Sequence, residues 1–287
     1  TSNYDHLHRT LYGLSGVARV TPGADLPTVS GAQGDGITYT QKYYGANIAI
    51  TKEMRKFDRF DEMDTLIRTI VEDAFHKVDQ SYADTLLYGS ATSFTDVYGD
   101  TITATTPGGE SLFNSAHTNP INSVTFSNLI NNGTANNPKL GYNGIKTTRA
   151  NGQALLDLNK NVRPTILDTV IVTPHNEDLA YRLIMSDQLQ GSANNDLNPL
   201  KGYVKNIIVW PRLQTRSDAT DTKEYWFMSD SRHVGESLKA FFAEEPSLDA
   251  PTEIAENKNW LWSIDYFYTL GLGLPRFIFG STGANAA

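Results

Sequence analysis

The sequence contains no cysteine, few charged residues and no long hydrophobic run. Without cysteine, disulfide frameworks, thiolate zinc sites, iron–sulfur clusters and cysteine nucleophiles are all excluded. The longest uncharged apolar stretch near the C-terminus, Tyr266–Leu274, is far shorter than the ~20 residues that cross a bilayer. No basic and then apolar N-terminus resembles a signal peptide. We therefore expect no membrane partner.

A surplus of positive charge is also missing. The chain has 24 Lys and Arg against 32 Asp and Glu, which gives a net charge of −8 and a pI near 5.2. Dedicated nucleic-acid binders gain most of their affinity from Lys and Arg that neutralise phosphates. The charge balance therefore argues against such a binder, and equally against attachment to an anionic membrane surface.

What the chain has instead is uncharged polar residues, with 30 Thr and 22 Asn among its 287 residues. Its 39% of hydrophobic residues still suffices for a core, so a disordered chain is excluded. This composition is typical of an α/β-type protein with long polar loops and strands that keep one face in water.

The first 50 residues read as extended structure. Residues 1–22 form a predicted arm with at most one helical turn, and residues 23–36 form a loop rich in Gly and Pro. Alternating apolar residues from Ile37 to Tyr43 predict a strand, Gly45 predicts a turn, and Ile48 and Ile50 predict a second strand. We expect a two-stranded projection, and since such a ribbon is marginally stable alone, we expect something outside the subunit to cover it.

A long helix is the strongest local signal. Apolar residues recur at steps of three and four from Asp61 to Tyr88, acidic residues fill the first turn, and Gly89 follows the end. Further along, Thr173 and Pro174 suit the start of a helix that Gly191 ends, between two strands of a β-α-β unit. The remaining predicted elements are a helix over 143–158 and strands over 165–172, 203–210, 225–230, 237–245 and 259–280.

No motif for catalysis stands out. The sequence lacks HExxH, a G-x-S-x-G elbow, a P-loop and a strand-linked GxGxxG. We therefore expect no enzyme, no cofactor and no metal, although a pair of carboxylates converging in a pocket, as a hydrolase would need, is invisible in sequence. The basic cluster Lys52, Arg55, Lys56 and Arg59 is interleaved with acidic residues, which favours salt bridges to a neighbouring molecule.

Four segments carry a resemblance to a known family. They are ITYTQKYYGANIAITKEM at 37–54, KFDRFDEMDTLIRTIVEDAF at 56–75, SLFNSAHTN at 111–119 and TVIVTPHNEDLAYRLI at 169–184, of which SLFNSAHTN is the most specific. With the order of the elements, they make the chain resemble the major capsid protein of tailed bacteriophages, which implies an α+β protein with the Hong Kong 97-type fold. Within that family it looks most like the major head subunits of the Mu-like prophage group.

The resemblance implies a division of the chain. It predicts an N-terminal arm over 1–22, an extended β E-loop over 23–52, a spine helix with the first part of the peripheral domain over 53–139, an axial domain over 140–221, and peripheral strands with a C-terminal return over 222–287. A start at Thr1 would suit either the cleavage of a leader or the removal of Met.

The function that the resemblance implies is structural. Copies of the chain would form hexamers and pentamers of an icosahedral head, assembled in the host cytoplasm, that encloses double-stranded DNA without sequence-specific binding. A portal, and scaffold or decoration proteins, would be further partners. An encapsulin-like compartment is the nearest alternative, and an unrecognised hydrolase is a more distant one.

Residues for the contacts between subunits follow from the same resemblance. We expect Gln33 and Asp35 at the E-loop tip, and the basic cluster at the base of the spine helix, to touch neighbouring subunits. Some members of this fold crosslink neighbours through an E-loop lysine and an asparagine. The tip Gly23–Gly36 has no lysine here, so no such crosslink is expected.

Overall fold

The computed structural model describes residues 5–12, 19–26, 32–57, 62–96, 99–118, 123–156, 160–189, 196–214 and 222–285, a mixture of helices and strands. The chain divides into two compact units. The first unit comprises Thr1–Leu7, Thr38–Tyr82 and Ala240–Gly271, and the second comprises His8–Ile37, Ala83–Lys239 and Leu272–Ala287.

The helices of the described residues differ greatly in length. They are α1 (Lys52–Phe57), α2 (Glu62–Leu87), α3 (Tyr142–Gln153), α4 (Glu177–Met185), α5 (Leu200–Tyr203) and α6 (Val234–Ser237). Single turns of 3₁₀-helix occur at Pro174–Asn176, Pro211–Leu213 and Pro275–Phe277. Each of these turns begins at a proline, whose fixed φ suits a first helical position and whose missing N–H costs nothing there.

Within the described ranges, the strands form three sheets and two short hairpins. They are β1 (Asp5–Tyr12), β2 (Ala32–Thr40), β3 (Lys42–Ile50), β4 (Ser93–Thr95), β5 (Thr101–Thr103), β6 (His117–Thr118), β7 (Thr125–Phe126), β8 (Thr169–Val172), β9 (Asn206–Val209), β10 (Trp226–Ser229), β11 (Leu238–Leu248), β12 (Thr252–Glu253), β13 (Trp260–Leu272) and β14 (Ile278–Ser281). β1 pairs with β2, and the hairpins are β4–β5 and β6–β7.

The first unit is built around β13. This strand pairs with β3, β11 and β12, and nine consecutive residues of β3 lie in antiparallel register with it. The core lies between this sheet and α2, where Ala74, Ile264, Tyr266 and Tyr268 are buried. Because the apolar residues of α2 recur at helical spacing, Ile70, Val71, Ala74 and Val78 in its middle turns present one continuous face to the sheet.

The second unit is built around a four-stranded sheet in the order β14-β10-β8-β9. β8 runs parallel to β9 and antiparallel to β10, so the predicted β-α-β unit is confirmed with α4 as its helix. Both faces of the sheet are covered. On β10, Trp226 and Met228 belong to one hydrophobic cluster and Phe227 to the other, which explains why these strands read as continuous apolar runs.

The long predicted helix is confirmed, since α2 runs from Glu62 to Leu87. The predicted pairing of the extended N-terminal segments is wrong. Gly45 does not turn the chain but lies inside β3, opposite Asp265 of β13, and β2 begins at Ala32, inside the predicted loop. A Cβ at Gly45 would lie 3.1 Å from the carbonyl oxygen of Ile264, so the glycine permits a close approach of two strands.

Several predicted boundaries are also wrong. α3 ends at Gln153 rather than at 158, because the chain leaves the helix there and Leu156 forms a β-bridge with Val162. The strand predicted from Thr165 begins at Thr169, because the Thr165 N–H donates to the carbonyl oxygen of Gly152, at 2.9 Å. The strands predicted over 203–210, 225–230 and 237–245 are confirmed with shifted ends. The strand predicted over 259–280 is wrong, because the 3₁₀ turn at Pro275–Phe277 divides it into β13 and β14, which lie in different sheets.

Thr173 and Pro174 stand at the predicted start of the helical segment after β8, but the predicted capping hydrogen bond from Thr173 is absent. Thr173 is extended, as a cap should be, but its hydroxyl donates to the carbonyl oxygen of Lys223 instead of capping the helix. A 3₁₀ turn follows, and α4 then ends at Met185, where Ser186 returns to an extended conformation. The predicted end at Gly191 lies outside the described residues.

Candidate functional site

The predicted basic cluster lies on α1. The carbonyl oxygen of Thr51 accepts the hydrogen bond from Arg55 N at 3.1 Å, and its Oγ1 accepts one from Met54 N at 3.2 Å. Such caps stabilise a helix start. No residue of α1 is buried, so the short helix carries Lys52, Arg55 and Lys56 on the surface of the first unit. Arg59 lies outside the described residues.

The three described basic residues of α1 are not equivalent. The Arg55 guanidinium lies 4.2 Å from the ring centre of Trp260, a cation–π contact that commits it to its own chain. Lys52 and Lys56 are exposed. Phe57 beside them is 66% exposed, with the Lys56 Nζ 5.9 Å from its ring centre. The exposed lysines and phenylalanine form a surface that combines charge with apolar area.

A carboxylate borders this surface. Glu253 Oε1 lies 3.2 Å from the Nζ of Lys258. The hydrogen bond and charge of Lys258 lower the pKa of the Glu253 carboxyl most, and a hydrogen bond from Trp260 and the charge of Arg55 lower it further. The group therefore remains ionised across the physiological range. Opposite charges thus alternate along this part of the first unit, as the interleaved sequence suggested.

The other two predicted contact residues lie on a different element. Gln33 and Asp35 are both part of β2, which pairs with β1. The Gln33 side chain lies outside the described side chains, while Asp35 is half-buried. Sequence reasoning placed these residues on a loop tip, and the structure places them in a paired strand.

Large apolar side chains are exposed in both units. In the first unit, Phe75 of α2 is 56% exposed and Tyr43 of β3 is 61% exposed. In the second unit, Leu197 is 81% exposed, and further exposed residues are Val162, Ile166, Tyr181, Met185, Tyr203 and Ile208. Single exposed apolar residues are ordinary, but repeated ones on rigid helices and strands are typical of surfaces that other chains cover.

The segment SLFNSAHTN forms a buried polar network that sequence reasoning did not anticipate. The His117 Nδ1 lies 2.8 Å from Glu110 Oε2, and its Nε2 lies 3.0 Å from Asn128 Oδ1. The Asn128 amide nitrogen lies within hydrogen-bond distance of the carbonyl oxygens of Leu112, Pro275 and Ile278, at 2.7, 3.1 and 3.2 Å, so its two hydrogens are shared among three acceptors. The network therefore ties this segment to the last strand of the chain.

The electrostatics of His117 follow from its surroundings. Burial lowers the pKa of the imidazole, and this effect outweighs the opposite effects of Glu110, Asn128 and the Leu112 carbonyl. The ring also stacks on Phe126 with centroids 5.1 Å apart. Because the ring is buried and every polar neighbour is already bonded, we interpret His117 as a structural residue. Its only sequence signal was its place in SLFNSAHTN, the most specific of the segments that carry the family resemblance.

One cleft of the second unit has the polar lining that a catalytic site would need. It has a volume of about 240 Å³ and is called the basic cleft here, with Arg163, Lys205, Arg232 and Arg276 in its lining. Asp168 and Asp230 also line it. A general acid needs a raised pKa. Burial raises the pKa of Asp168, but hydrogen bonds from Ser231 and Thr169 and the charge of Lys205 outweigh burial, so the net pKa is lowered.

The second kind of site considered is a metal site. Within the described ranges, no group of three or more His, Asp or Glu residues could hold a metal ion. In the same part of the chain, no helix combines the length and apolar character needed to cross a membrane.

Comparison with known proteins decides the family. A sequence profile described as phage capsid protein matches residues 35–279, which is most of the chain. The chain belongs to the phage capsid protein family. As a capsid chain it is a structural component of the phage virion.

Solved capsids share the fold of this capsid chain at low sequence identity. The capsid structure of cyanophage P-SCSP1u is 12% identical with a TM-score of 0.57, over 100% of this chain and 85% of that one. The capsid of Myoviridae phage XM1 is 11% identical with a TM-score of 0.52, over 98% and 86%. The mature capsid of bacteriophage PhiM1 is 13% identical with a TM-score of 0.50, over 97% and 82%. No curated protein matches the capsid chain significantly.

Proposed function

We propose that the chain is the major capsid protein of a tailed phage, which assembles through the Hong Kong 97-type fold into hexamers and pentamers of an icosahedral head. The observation that carries this proposal is the family match over residues 35–279, supported by a fold shared with capsid subunits over nearly the whole chain. Membership of the Mu-like prophage group stays a prediction.

Exposed apolar side chains give the proposal its physical basis. Each unit exposes several large apolar residues on rigid elements, and each such residue that a neighbouring subunit buries contributes to association. In a shell, heterologous contacts that close into rings use the same surfaces many times. Contacts that are individually weak then add up to a stable particle.

We also propose how segments of the chain act in the shell. The arm would be residues 1–22, the E-loop 23–52, the spine helix and first peripheral part 53–139, the axial domain 140–221, and the return 222–287. The 26 residues of α2 suit a spine. β10 and β14 of the return lie in one sheet with β8 and β9, so the axial and peripheral segments would act together there.

Six residues are proposed as subunit contacts. They are Gln33, Asp35, Lys52, Arg55, Lys56 and Arg59. Exposure of Lys52 and Lys56 supports this role, whereas the stacking of Arg55 on Trp260 implies that Arg55 holds α1 in place for its neighbours.

Double-stranded DNA would be enclosed without specific binding, which the net charge of −8 favours because a negative shell repels the phosphate backbone. A portal, and scaffold or decoration proteins, would complete the head in the host cytoplasm.

Light scattering coupled to size exclusion tests the proposal. The mass of the purified, unheated chain should rise with concentration from subunits to rings and closed particles, and particles from a phage should protect DNA from nuclease. Boiled particles should run as single chains of 31.7 kDa, because Gly23–Gly36 has no lysine for a crosslink. A mass of 31.7 kDa at every concentration would contradict the proposal, and a protein cargo in place of DNA would favour an encapsulin-like compartment.

A further inference from the structure

The basic cleft lies at one end of the central sheet of the second unit. Asp168 precedes β8, Lys205 precedes β9, and Asp230 follows β10, so the cleft forms where three strand ends meet. Phe277 contributes an apolar wall, with the His233 ring stacked on it at a centroid distance of 5.0 Å. The lining is therefore supported by rigid elements rather than by a loop alone.

The carboxylates of the cleft already have donors. Asp168 accepts hydrogen bonds from the Ser231 N–H and hydroxyl, both at 2.9 Å. Asp230 accepts them from the N–H groups of Arg232 at 3.0 Å and Ile166 at 3.3 Å. The hydrogen bonds to Asp168 and Asp230 thus come from neutral donors, so these carboxylates do not occupy the guanidinium groups of Arg163 and Arg232.

The third carboxylate of the lining also has a nearby partner. Glu236 Oε1 lies 3.1 Å from the Nδ1 of His233. All three acidic side chains in the cleft lining therefore have local hydrogen-bonding partners, and none of these partners is an arginine side chain.

Two cations of the cleft have no such partner. Within the part of the chain that the structure describes, the guanidinium groups of Arg163 and Arg232 form no ion pair, and both side chains are exposed. Arg276 is held in place by donating its Nη2 hydrogen to the Arg163 carbonyl oxygen at 2.7 Å. Lys205 Nζ lies 3.9 Å from Asp168 Oδ2, at the limit of an ion pair. The cleft therefore offers two guanidinium forks to an incoming anion.

The chemistry of the lining favours a carboxylate over a polyphosphate. A guanidinium binds a carboxylate through two parallel hydrogen bonds. Asp168, Asp230 and Glu236 in the same cleft would repel the repeated charges of a nucleic acid, and a cleft of about 240 Å³ has room for a side chain rather than a duplex. With 32 acidic residues against 24 basic ones, further copies of the chain are a ready source of carboxylates.

We propose that the basic cleft binds an acidic side chain of a second copy of this chain when subunits assemble. Arg163 and Arg232 grip the carboxylate, Arg276 fixes the backbone of the Arg163 loop, and Phe277 packs against the methylene groups of the incoming residue. This inference rests on the proposed self-assembly, and the experiments separate the two.

A charge reversal tests whether the cleft contributes to assembly. The variant Arg163→Glu/Arg232→Glu should fold, because both side chains are exposed, but should need about tenfold more protein to assemble, since a like charge replaces an attractive one. The control Lys146→Glu/Lys160→Glu changes the net charge equally at exposed positions outside the cleft and should assemble like the parent. Equal assembly of both variants would overturn the cleft proposal and leave the proposed function standing, whereas a parent that never assembles would overturn both.

Crosslinking tests the partner directly. The conservative variant Arg163→Lys keeps the charge and supplies an amine that a carbodiimide can join to a carboxylate in contact with it. Particles are grown from a mixture of ¹⁴N- and ¹⁵N-labelled subunits of this variant. Mass spectrometry should find links between position 163 of one subunit and an Asp or Glu of another, which are recognised because each such link carries both labels. Links confined to one label, or no links in particles that assemble normally, would overturn the proposal.

Discussion

At the scale of single residues, Asn128 has the most consequential position. Its side chain is fully buried, its oxygen accepts a hydrogen bond from the Asn114 N–H at 2.9 Å, and its nitrogen serves three carbonyl groups. Two of those carbonyls belong to Pro275 and Ile278, about 150 positions away in the sequence. One amide therefore joins two distant segments of the second unit.

Removal of this amide should destabilise the subunit. We expect Asn128→Ala to lower the free energy of unfolding by about 2–4 kcal/mol, because several buried polar groups lose their partners at once. Denaturant unfolding of unassembled subunits would measure the loss. Asn143→Ala, at an exposed position of α3, serves as the control and should change stability by less than about 0.5 kcal/mol. Equal effects of the two variants would contradict the role of Asn128.

Asp168 gives the subunit a predictable response to acid. Its folded-state pKa is lowered, so the folded chain binds fewer protons than the unfolded chain below the ordinary value of 3.8. The contribution of the carboxylate is therefore complete above that value and is lost as the pH falls through the folded-state pKa. Asp168→Asn should cost about 1–3 kcal/mol near neutral pH, since the Ser231 donors lose a charged acceptor.

The pH dependence of unfolding checks this account of Asp168. The difference in melting temperature between the parent and Asp168→Asn should be largest near neutral pH and should shrink below about pH 4. The exposed substitution Asp73→Asn on α2 serves as the control and should leave the profile unchanged. A difference that stays constant down to pH 3 would contradict the assigned charge.

At the scale of secondary-structure elements, the end of β13 depends on a close approach of two backbones. A Cβ at Gly273 would lie 1.9 Å from the carbonyl oxygen of Glu236. That carbonyl accepts the Leu274 N–H at 2.9 Å, and the Ser237 carbonyl accepts the Gly273 N–H at 2.8 Å. The clash is with backbone atoms, so no side chain can move aside to relieve it.

Gly273→Ala should therefore destabilise the subunit severely. We expect a loss of about 3 kcal/mol or more, because the substitution must displace α6 from the end of β13. Gly235→Ala in α6 is the matched control, since a Cβ there meets nothing within 4 Å. Thermal unfolding of both variants gives the comparison, and a Gly273→Ala subunit as stable as the control would refute the packing described here.

Charge on α1 should affect assembly and not folding. Lys52→Glu/Lys56→Glu reverses two exposed charges on a helix without buried residues, so the melting temperature of the subunit should change little. If α1 meets an acidic neighbour, assembly should require several-fold more protein, since exposed ion pairs contribute about 0.2–1 kcal/mol each. The titration of particle formation against concentration measures this, and unchanged assembly would remove α1 from the proposed contacts.

Elements that depend on the pattern of consecutive residues could be predicted from the sequence. Elements that depend on pairing with residues far away in the chain could not. α2 was predictable because its apolar spacing and acidic first turn are properties of consecutive residues. The partner of β3 was not, because β13 lies more than 200 positions away. Gly45 looked like a turn because a sequence does not reveal whether a glycine serves a turn or a close strand contact.

The same limit applies to the candidate site. The basic cluster on α1 was visible because its residues are adjacent in the sequence, but the stacking of Arg55 on Trp260 was not. The basic cleft was also hidden, since Arg163, Arg232 and Arg276 come from three separate segments. SLFNSAHTN carried a family signal, yet its physical role emerged only once Asn128 was seen beside it.

At the scale of the whole molecule, the chain combines well-packed cores with surfaces that remain open. The core of the second unit buries Trp226, Phe227 and Phe279 completely. Residues such as Phe57 and Leu197 nevertheless stay exposed. A protein under selection to remain a monomer would avoid such surfaces, whereas a capsid subunit uses them.

Electron microscopy of the purified, unheated protein tests the central claim most directly. After size exclusion, negatively stained samples should show closed icosahedral shells or rings of five or six subunits. A uniform monomer that shows no rings or shells at any concentration would contradict the account that this capsid chain assembles by itself.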